Sequence, residues 1–406
     1  MYKAYKIRLY PTKQQTELIN KTIGCCRYAY NRALAERIVF YAKNKDNKEV
    51  LKAFKYTSIK SLREELPWLK DVPTCALRQS QMDLDTAYSN FFRRVKQGKK
   101  PGFPKFKKKG KCIDSYRQCQ SENFIRLTDN NSRLVLLKLG KVKLRGLAKD
   151  FSGVIKNVTV SRAKSGKYFA SILVEKEQTE KRKRVSDNII GVDLGLQEFA
   201  VCSNGDFIHG IKDKIVVLDC KIGKQQRHLA RKKLGSNRWY DCKRQLNVLY
   251  EHRQNYLSHF QWHLANKLCS ENQVIALETL NVNGMKKNGK LSHSIHNVNW
   301  SSFVLKLGQK AKSYDTIVYK IDRFFPSSKT CSTCGKIKKD LKLADRMYAC
   351  DCGLEIDRDL NAAINIKHEF LKSAEYVDNR HGEIVRPRRL LYNPQGSFDE
   401  VLTNSI

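Results

Sequence analysis

The chain has 406 residues, with 78 Lys and Arg against 40 Asp and Glu, so its formal net charge is +38. Positive side chains in such excess repel one another unless a polyanion screens them. Nucleic acid is the leading candidate for that partner. The simpler alternative is a basic protein of the ribosome or of a membrane surface. The membrane alternative is disfavoured, because no basic helix with a strong apolar face stands out.

The cellular compartment follows from two absences. The opening sequence MYKAYKIRLY is charged and alternating, unlike a secretion signal, and no apolar run approaches the roughly 18 residues of a membrane span. We therefore expect an intracellular protein whose 13 cysteines are not paired as disulfides. Nine of the cysteines are scattered and are typical of small buried hydrophobic positions, whereas four are clustered.

The first part of the chain predicts a strand followed by helices. Residues 2–10 alternate as a short strand does, and Pro11 and Thr12 end it and begin a helix. From 12 to 94 the apolar residues recur at helical spacing, which predicts a helical bundle.

A basic segment follows at 93–111, RRVKQGKKPGFPKFKKKGK, in which ten of 19 residues are Lys or Arg and none is acidic. Its Gly and Pro residues exclude a continuous helix. A solvated flexible loop is one interpretation. The inserted Phe103 and Phe106 favour a second one, a groove-lining segment that holds a nucleic-acid backbone and offers rings for stacking. The candidate contacts are Lys99, Lys100, Lys105, Lys107, Lys108 and Lys109.

Strand patterns replace helical ones between 116 and 175 and predict a small β domain, completed by the N-terminal strand. A polar linker leads to a new α/β domain that begins at Ile189. Residues 218–270 predict two antiparallel helices with a basic face, broken at 233–236. Nucleic-acid contacts are predicted there at Arg231, Lys232, Lys233 and Arg238.

Three carboxylates lie on separate predicted elements of this second domain. Asp193 lies in a buried strand within GVDLGLQEFA, Glu278 ends another in VIALETL, and Asp359 precedes a helix in DRDLNAAINI. A carboxylate in an apolar strand needs a partner, and Mg²⁺ or Mn²⁺ prefers such oxygen ligands. Two ions held this way cleave phosphodiesters. Simpler roles stay open: a turn cap, a lysine ion pair, or a helix N-cap for which Asp357 competes.

The four clustered cysteines are spaced C-x2-C-x15-C-x-C, at Cys331, Cys334, Cys350 and Cys352. Two close pairs about 15 residues apart predict one structural zinc ion bound by four thiolates. A set of four thiolates argues against a catalytic zinc. The second pair has one intervening residue, where two is the commoner spacing.

Together these motifs resemble the TnpB family of bacterial and archaeal transposons, which is similar to type V CRISPR effector nucleases. The resemblance covers most of the chain, from YKIRLYPTKQQTELIN through DRFFPSSKTCSTCG to DRDLNAAINI, and fades after about Lys372. It implies that Asp193, Glu278 and Asp359 are the metal-binding catalytic acids of a RuvC-like nuclease, with Asp357 only a neighbour.

The resemblance also implies a domain plan with an α/β fold. A β wedge-type, barrel-like domain at 1–11 and 112–180 would carry a helical recognition domain at 12–111. After a linker at 181–188, an RNase H-like RuvC domain would occupy 189–330 and 353–374, with a zinc ribbon inserted at 331–352. The tail at 375–406 is expected to be poorly ordered, since it lacks periodicity.

The expected activity is RNA-guided DNA cleavage in a prokaryotic cell, in the cytoplasm and near the nucleoid. The resemblance implies a structured guide RNA, a double-stranded DNA target, two Mg²⁺ or Mn²⁺ ions and a monomeric ribonucleoprotein. Candidates for reading a short motif beside the target are Arg78, Gln79 and Ser121. The alternatives are an RNA-guided repressor that no longer cuts and an unguided transposase or nuclease.

Overall fold

The computed structural model describes residues 2–120, 124–147, 151–177, 182, 184–186, 188–285, 298–342, 345–375 and 390–392. The chain divides into two compact units, a first unit at 1–179 and a second unit at 180–406. None of the helices in the described ranges is long and apolar enough to cross a membrane.

The first unit is built on an antiparallel sheet of seven strands in the order β2-β6-β7-β1-β5-β4-β3. The N-terminal strand β1 lies at its centre, between β7 and β5. Alternate residues of β7 are buried, as expected where one face of a sheet packs on a core. The strands are β1 (Tyr2–Tyr10), β2 (Asp114–Cys119), β3 (Arg126–Thr128), β4 (Arg133–Leu136), β5 (Gly140–Arg145), β6 (Val154–Arg162) and β7 (Tyr168–Glu175).

Helices of the first unit pack on this sheet through one hydrophobic core, which joins Ile23 and Leu77 of the helices to strand residues such as Leu9 and Ile172. The first helix begins with a capping box formed by Thr12 and Gln15. The helices are α1 (Lys13–Asn44), α2 (Lys48–Lys52), α3 (Ile59–Glu65), a 3-10 turn (Pro67–Asp71) and α4 (Thr74–Lys96).

Two features of the first unit differ from expectation. The last helix, α4, continues to Lys96, so the basic segment at 93–111 begins as helix. The sheet is open, because its edge strands β2 and β3 are not paired with each other in the described part of the chain.

The second unit contains a six-stranded sheet in the order β10-β9-β8-β11-β12-β15. The middle strands β8, β11 and β12 are parallel, and their outer neighbours are antiparallel. The strands are β8 (Asn188–Asp193), β9 (Ala200–Cys202), β10 (Phe207–Ile208), β11 (Asn272–Leu277), β12 (Ile317–Lys320) and β15 (Leu390–Tyr392). Strand β15 lies in the C-terminal tail, where the sequence predicts no element.

Helices cover both faces of this sheet, so its central strands read as continuous apolar runs. Ile275 and Leu277 of β11 join the core with α6 and α8, whereas Val274 and Ala276 point to the other face, toward α9. The helices are α5 (Lys212–Ala230), α6 (Asn237–Glu271), α7 (Val282–Met285), α8 (Trp300–Tyr314) and α9 (Arg358–Glu375), and a small hairpin, β13 (Met347–Ala349) with β14 (Glu355–Asp357), precedes α9.

Helix α9 approaches strand β8 so closely that only glycine fits at Gly191. A Cβ atom built there would overlap the carbonyl oxygen of Ala363 and lie 2.7 Å from the amide nitrogen of Lys367. Both atoms belong to helix backbone, which cannot move aside as a flexible side chain can. Because Asp193 is two residues beyond Gly191 and Asp359 is in the first turn of α9, this contact sets how far apart the two carboxylates lie.

We predict that Gly191→Ala lowers the free energy of unfolding of the second unit by about 3 kcal/mol or more, since overpacking against backbone is costly. Scanning calorimetry should show a melting temperature lower by roughly 6–12 °C. The matched control is Gly223→Ala in α5, where the added Cβ would have its nearest neighbour at 3.7 Å. The control should stabilise the helix by about 0.5–1 kcal/mol, and equal effects of the two substitutions would contradict the prediction.

Candidate active site and metal centre

Asp193 and Glu278 lie side by side at the carboxyl ends of two parallel strands. In the register of β8 and β11, Val192 is opposite Leu277. Asp193 is the last residue of β8, and Glu278 directly follows β11. Their side chains are half-buried and hydrogen-bonded to each other. Strand register, which sequence patterns do not reveal, therefore brings the first two predicted acids together.

Asp359 reaches the same place from the start of α9. The capping role belongs to Asp357, whose Oδ1 accepts hydrogen bonds from the backbone N–H groups of Asp359 (2.9 Å) and Leu360 (3.0 Å). This resolves the alternative left open by the sequence, because the carboxylate of Asp359 is not the helix cap. It is half-buried, and its charge acts on both Asp193 and Glu278.

The electrostatics of the three acids are those of like charges held in a poorly solvated site. Burial, then the charges of Glu278 and Asp359, raises the pKa of Asp193 well above its usual value, although Arg358 opposes the shift. Burial raises the pKa of Glu278 to about 7, against the effect of its hydrogen bond with Asp193. Both shifts disfavour the charged forms of these carboxylates, and positive charge brought to the site would oppose them.

Burial also raises the pKa of Asp359; the charge of Asp357 adds to this shift, and the charges of Arg346 and Arg358 oppose it.

The ligand atoms of the three acids do not form a group within 4.8 Å of one another, whereas the clustered cysteines do. Within the described residues, none of the three carboxylates forms an ion pair with a Lys or Arg side chain. This removes the lysine ion pair as a role for Glu278 in that part of the chain.

Glu198 is a neighbour that sequence reasoning missed. Its charge contributes to the raised pKa of Asp359, and its Oε2 lies 2.6 Å from Nδ1 of His209. Glu198 lies between β8 and β9 in an irregular turn, so no periodicity marks it. The short connection to β9 places it near the carboxyl end of the sheet.

The four clustered cysteines form a compact thiolate centre whose sulfur atoms all lie within 4.8 Å of one another. The Sγ–Sγ distances are 3.6 Å for Cys331 to Cys352 and 3.6 Å for Cys334 to Cys350. Sulfurs about 2.3 Å from a tetrahedral zinc ion are separated by about 3.8 Å, so the geometry fits a structural zinc site.

Each cysteine pair lies in a tight turn of its own. The N–H of Gly335 donates to the carbonyl of Cys331 (3.0 Å), and that of Gly353 donates to Cys350 (2.9 Å). Both glycines have positive φ angles, 74° and 91°, which explains the glycine after each pair. The hairpin of β13 and β14, which pairs Met347 with Asp357 and Ala349 with Glu355, encloses the second cysteine pair.

The chain matches both protein-family models and individual proteins. Three family models match: "Helix-turn-helix domain" at residues 1–46, "Probable transposase" at 171–289 and "Cas12f1-like, TNB domain" at 300–366. A "Putative RNA-guided DNA endonuclease" from Streptomyces pristinaespiralis is 32% identical over 394 residues, covering 95% of this chain and 92% of the relative. The chain belongs to the TnpB family.

Other relatives of this TnpB-family protein extend the comparison. "Putative RNA-guided DNA endonuclease InsQ" of Escherichia coli (strain K12) is 30% identical over 401 residues, covering 93% of this chain and 95% of the relative. The structure titled "Cryo-EM structure of the Cas12f1-sgRNA-target DNA complex" aligns with a TM-score of 0.48 and 14% identity, covering 90% and 98% of the two chains. The family predicted from the sequence is confirmed, and the helices and strands of the described residues form the predicted mixed α/β fold.

The basic segment of this TnpB-family protein is anchored rather than loose. The side chain of Asn31 on α1 exchanges two hydrogen bonds with the backbone of Lys107, at 3.0 and 2.8 Å. Phe103 packs edge-on against Tyr88 and Phe91, and Pro104 is buried. These contacts oppose the flexible-loop interpretation. Four of the six predicted contacts are exposed: Lys100, Lys105, Lys108 and Lys109.

Lys107 and Lys99 differ from those lysines. Nζ of Lys107 lies 3.9 Å from the ring centroid of Tyr30, and burial lowers the pKa of Lys107. This side chain therefore packs within the fold through a cation–π contact and does not extend into solvent. Lys99 is half-buried. In the second unit, the predicted contacts Arg231, Lys232, Lys233 and Arg238 are all exposed at the turn between α5 and α6.

The residues proposed to read the target motif have unlike surroundings. Arg78 is exposed on α4. Gln79 is 8% exposed, and its amide is bonded to Cys119 (3.2 Å) and Asp83 (3.2 Å). Gln79 could therefore read a base only after breaking these bonds. Ser121 lies outside the described residues.

We predict that Asp193→Asn stabilises the metal-free protein at neutral pH. A carboxyl whose pKa is higher in the folded than in the unfolded state contributes stability at low pH that is lost as pH rises through the folded pKa. The substitution removes one ionisable carboxyl and supplies an amide N–H that can donate to Glu278. Melting temperature should rise by about a few degrees at pH 8 and less at pH 5.

The control for this measurement is Asp241→Asn in α6, whose side chain is 63% exposed. It changes the net charge equally but should leave the melting temperature nearly constant. Mg²⁺ should stabilise the unsubstituted protein more than the Asp193→Asn variant. A lower melting temperature for Asp193→Asn at pH 8 would show that the ionised carboxylate is structural.

Proposed function

We propose that this protein is an RNA-guided, Mg²⁺-dependent DNA endonuclease of a transposable element. The observation that carries the proposal is the hydrogen-bonded pair of Asp193 and Glu278 at the carboxyl ends of β8 and β11, on which the charge of Asp359 also acts. The relatives from Streptomyces pristinaespiralis and Escherichia coli, which match this chain over nearly its full length, are named RNA-guided DNA endonucleases.

The proposed nuclease domain is RuvC-like, that is, of the RNase H-like class. The support is its strand order, in which an antiparallel unit of β8, β9 and β10 lies beside the parallel strands β11 and β12. Ligands of such open α/β sheets bind at the carboxyl ends of the strands. The acids lie at that edge, as the proposal requires.

We assign Asp193, Glu278 and Asp359 as ligands of two Mg²⁺ or Mn²⁺ ions. The three residues offer only carboxylate oxygens, the donors that these cations prefer. Burial of like charges raises the pKa values of Asp193 and Glu278, and added positive charge would relieve that strain. When bound, such ions activate a water molecule and stabilise the leaving oxygen of a phosphodiester.

The chain's own residues hold the carboxylates in place. The register of β8 with β11 fixes Asp193 beside Glu278, and the cap formed by Asp357 fixes the first turn that carries Asp359. The single-chain set of acids is sufficient for one active site, so we propose a monomeric ribonucleoprotein.

The proposed guide RNA supplies sequence specificity, and the protein supplies charge and shape. In RNA-guided nucleases the protein holds the heteroduplex through its backbone and reads only a short adjacent motif. A net charge of +38 suits that division. We propose that the exposed lysines of the basic segment and the exposed turn at 231–238 contact phosphates, and that Arg78 and Ser121 take part in motif reading.

An RNA-guided repressor and an unguided transposase are the alternatives. A repressor without cleavage would be expected to lose an acid or the terminal motif, but all three acids and all four clustered cysteines are present. The zinc ribbon between the second and third acids does not suit a transposase that cuts DNA directly. These observations favour the guided nuclease.

The first test is expression with the native flanking DNA, followed by sequencing of copurified RNA and a cleavage assay. We expect one discrete RNA and Mg²⁺-dependent cutting of a plasmid that carries a matching target beside randomised flanking bases. Asp193→Ala should lower the cleavage rate by at least about 10³-fold while RNA and DNA affinities stay within about twofold. Asp241→Asn should retain full cleavage.

Each other outcome contradicts a stated part of the proposal. Discrete RNA with specific DNA binding but no cutting would indicate a repressor. Cutting with heterogeneous RNA, or none, would indicate an unguided nuclease. Loss of RNA binding in Asp193→Ala would make that residue structural.

We also predict that replacing Lys100, Lys105, Lys108 and Lys109 by Gln flattens the salt dependence of RNA binding. Each neutralised phosphate contributes about 0.7–0.9 to the slope of log K against log salt, so the slope should fall by about 3. The control replaces Lys43, Lys45, Lys55 and Lys60, which are exposed lysines elsewhere in the first unit. Equal changes in the two variants would show that net charge, not the basic segment, sets affinity.

A further inference from the structure

Two buried asparagines on α9 are the residues from which this inference begins. Asn361 is 0% exposed and Asn365 is 3% exposed, although asparagine is rarely buried without a specific use. They are four residues apart, so they lie one above the other on one face of the helix. Neither residue is among the predicted metal ligands or nucleic-acid contacts.

Their amide groups bind the backbone on both sides of the first zinc-site cysteine. Oδ1 of Asn361 accepts from the N–H of Ser332 (3.0 Å), and its Nδ2 donates to the carbonyl of Thr330 (2.7 Å). Cys331 lies between those two residues and is 1% exposed. Asn361 therefore holds the position of Cys331 from the helix.

Asn365 holds the turn that leads to Cys331. Its Nδ2 donates to the carbonyls of Thr330 (2.6 Å) and Ser327 (2.8 Å). Because the side-chain bonds of both asparagines run to backbone, a change in the path of residues 327–332 would break several buried hydrogen bonds at once. Breaking them leaves buried polar groups without partners, which is costly.

The far side of the ribbon is tied to the same end of the helix. The N–H of Arg358 donates to the carbonyl of Arg346 (2.8 Å), and its guanidinium donates to the carbonyl of Lys342 (2.8 Å). Asp359 follows directly. The first turns of α9 are thus hydrogen-bonded to two segments of the ribbon, one at 327–332 and the other at Lys342 and Arg346.

We propose that Asn361 and Asn365 are positioning residues that couple zinc binding in the ribbon to the placement of Asp359 in the acidic site. Zinc fixes Cys331, the asparagines transmit that position to α9, and Asp359 is carried by the same helical turn as Asn361. The inference rests on the proposed function for the role of Asp359 as a metal ligand. The part that concerns zinc, namely that the asparagines hold Cys331 in place, does not depend on that function.

The role is positioning rather than catalysis, because both amide atoms of Asn361 are already bonded within the fold. Asn361 is also 0% exposed, so its amide cannot reach a phosphate without a change in the fold. Coupling of this kind is reciprocal: a metal ion bound at the acids should tighten zinc binding by the same factor as zinc tightens binding at the acids.

The first measurement is the rate of zinc release from the purified full chain to a chromogenic chelator. We expect the double variant Asn361→Ala, Asn365→Ala to release zinc at least about tenfold faster than the unsubstituted protein. The control is His368→Ala, an exposed position on the same helix, which should not change the rate. The single variant Asn365→Ala, which leaves Asn361 in place, tests the same point if the double variant does not fold.

The second measurement is the affinity for Mn²⁺, determined from the electron paramagnetic resonance signal of free Mn²⁺. It is made once with zinc bound and once after zinc has been stripped from the protein. Ions at the acidic site are identified by their loss in Asp193→Asn. Stripping zinc should weaken that binding at least about fivefold in the unsubstituted protein, and should change it little in the double variant. A role limited to folding would not remove this dependence selectively.

The outcomes separate the coupling from the proposed function. Zinc release at the control rate in both asparagine variants would overturn the proposal, as would Mn²⁺ affinity that responds to zinc equally with and without the asparagines. If Asp193→Asn removes no Mn²⁺ site at all, the metal-dependent function fails, and faster zinc release would then support only the hold on Cys331.

Discussion

Three partly buried carboxylates repel one another in the second unit, and the surrounding scaffold has to offset the cost of holding them together. Asp193, Glu278 and Asp359 each raise the free energy of the others when ionised, and among the described residues the positive charges that oppose this belong to Arg358 and Arg346. A polar cluster of this kind persists only where the scaffold is more stable than the cluster is costly. The scaffold here is the parallel centre of a mixed sheet, which helices cover on both faces and which holds the ends of neighbouring strands together.

The packing of α9 is the most delicate part of that scaffold. At Gly191 the helix backbone contacts the strand backbone directly, so the distance between Asp193 and Asp359 cannot shorten. The other end of the constraint is the ribbon, whose own core contains little more than Cys331, Leu341 and Tyr348. So small a core cannot hold a fixed shape unaided, and a zinc ion bound by the four cysteines would supply the missing stability.

Sequence patterns predicted the elements of the site better than their contacts. Buried strands that end in an acid, at Asp193 and Glu278, are visible as apolar runs with one charge, and the cysteine spacing predicts the metal centre. Which aspartate of the DRD segment caps α9 and which faces the acids is a matter of hydrogen bonding, and only the structure assigns the cap to Asp357. Gly191, Glu198, Asn361 and Asn365 were missed, because their roles depend on close approach between elements distant in sequence.

The charge of the chain acts by a different physical route from the acids. Exposed lysines of an anchored segment interact with phosphates over a distance that salt shortens, and their contributions are nearly interchangeable. The acids act over contact distances in a poorly solvated site, where one misplaced carboxylate changes the whole cluster. Affinity for nucleic acid can therefore change gradually as surface lysines are gained or lost, whereas the proposed chemistry depends on a few contacts at Gly191, Asp357 and the ribbon that hold α9 in one position.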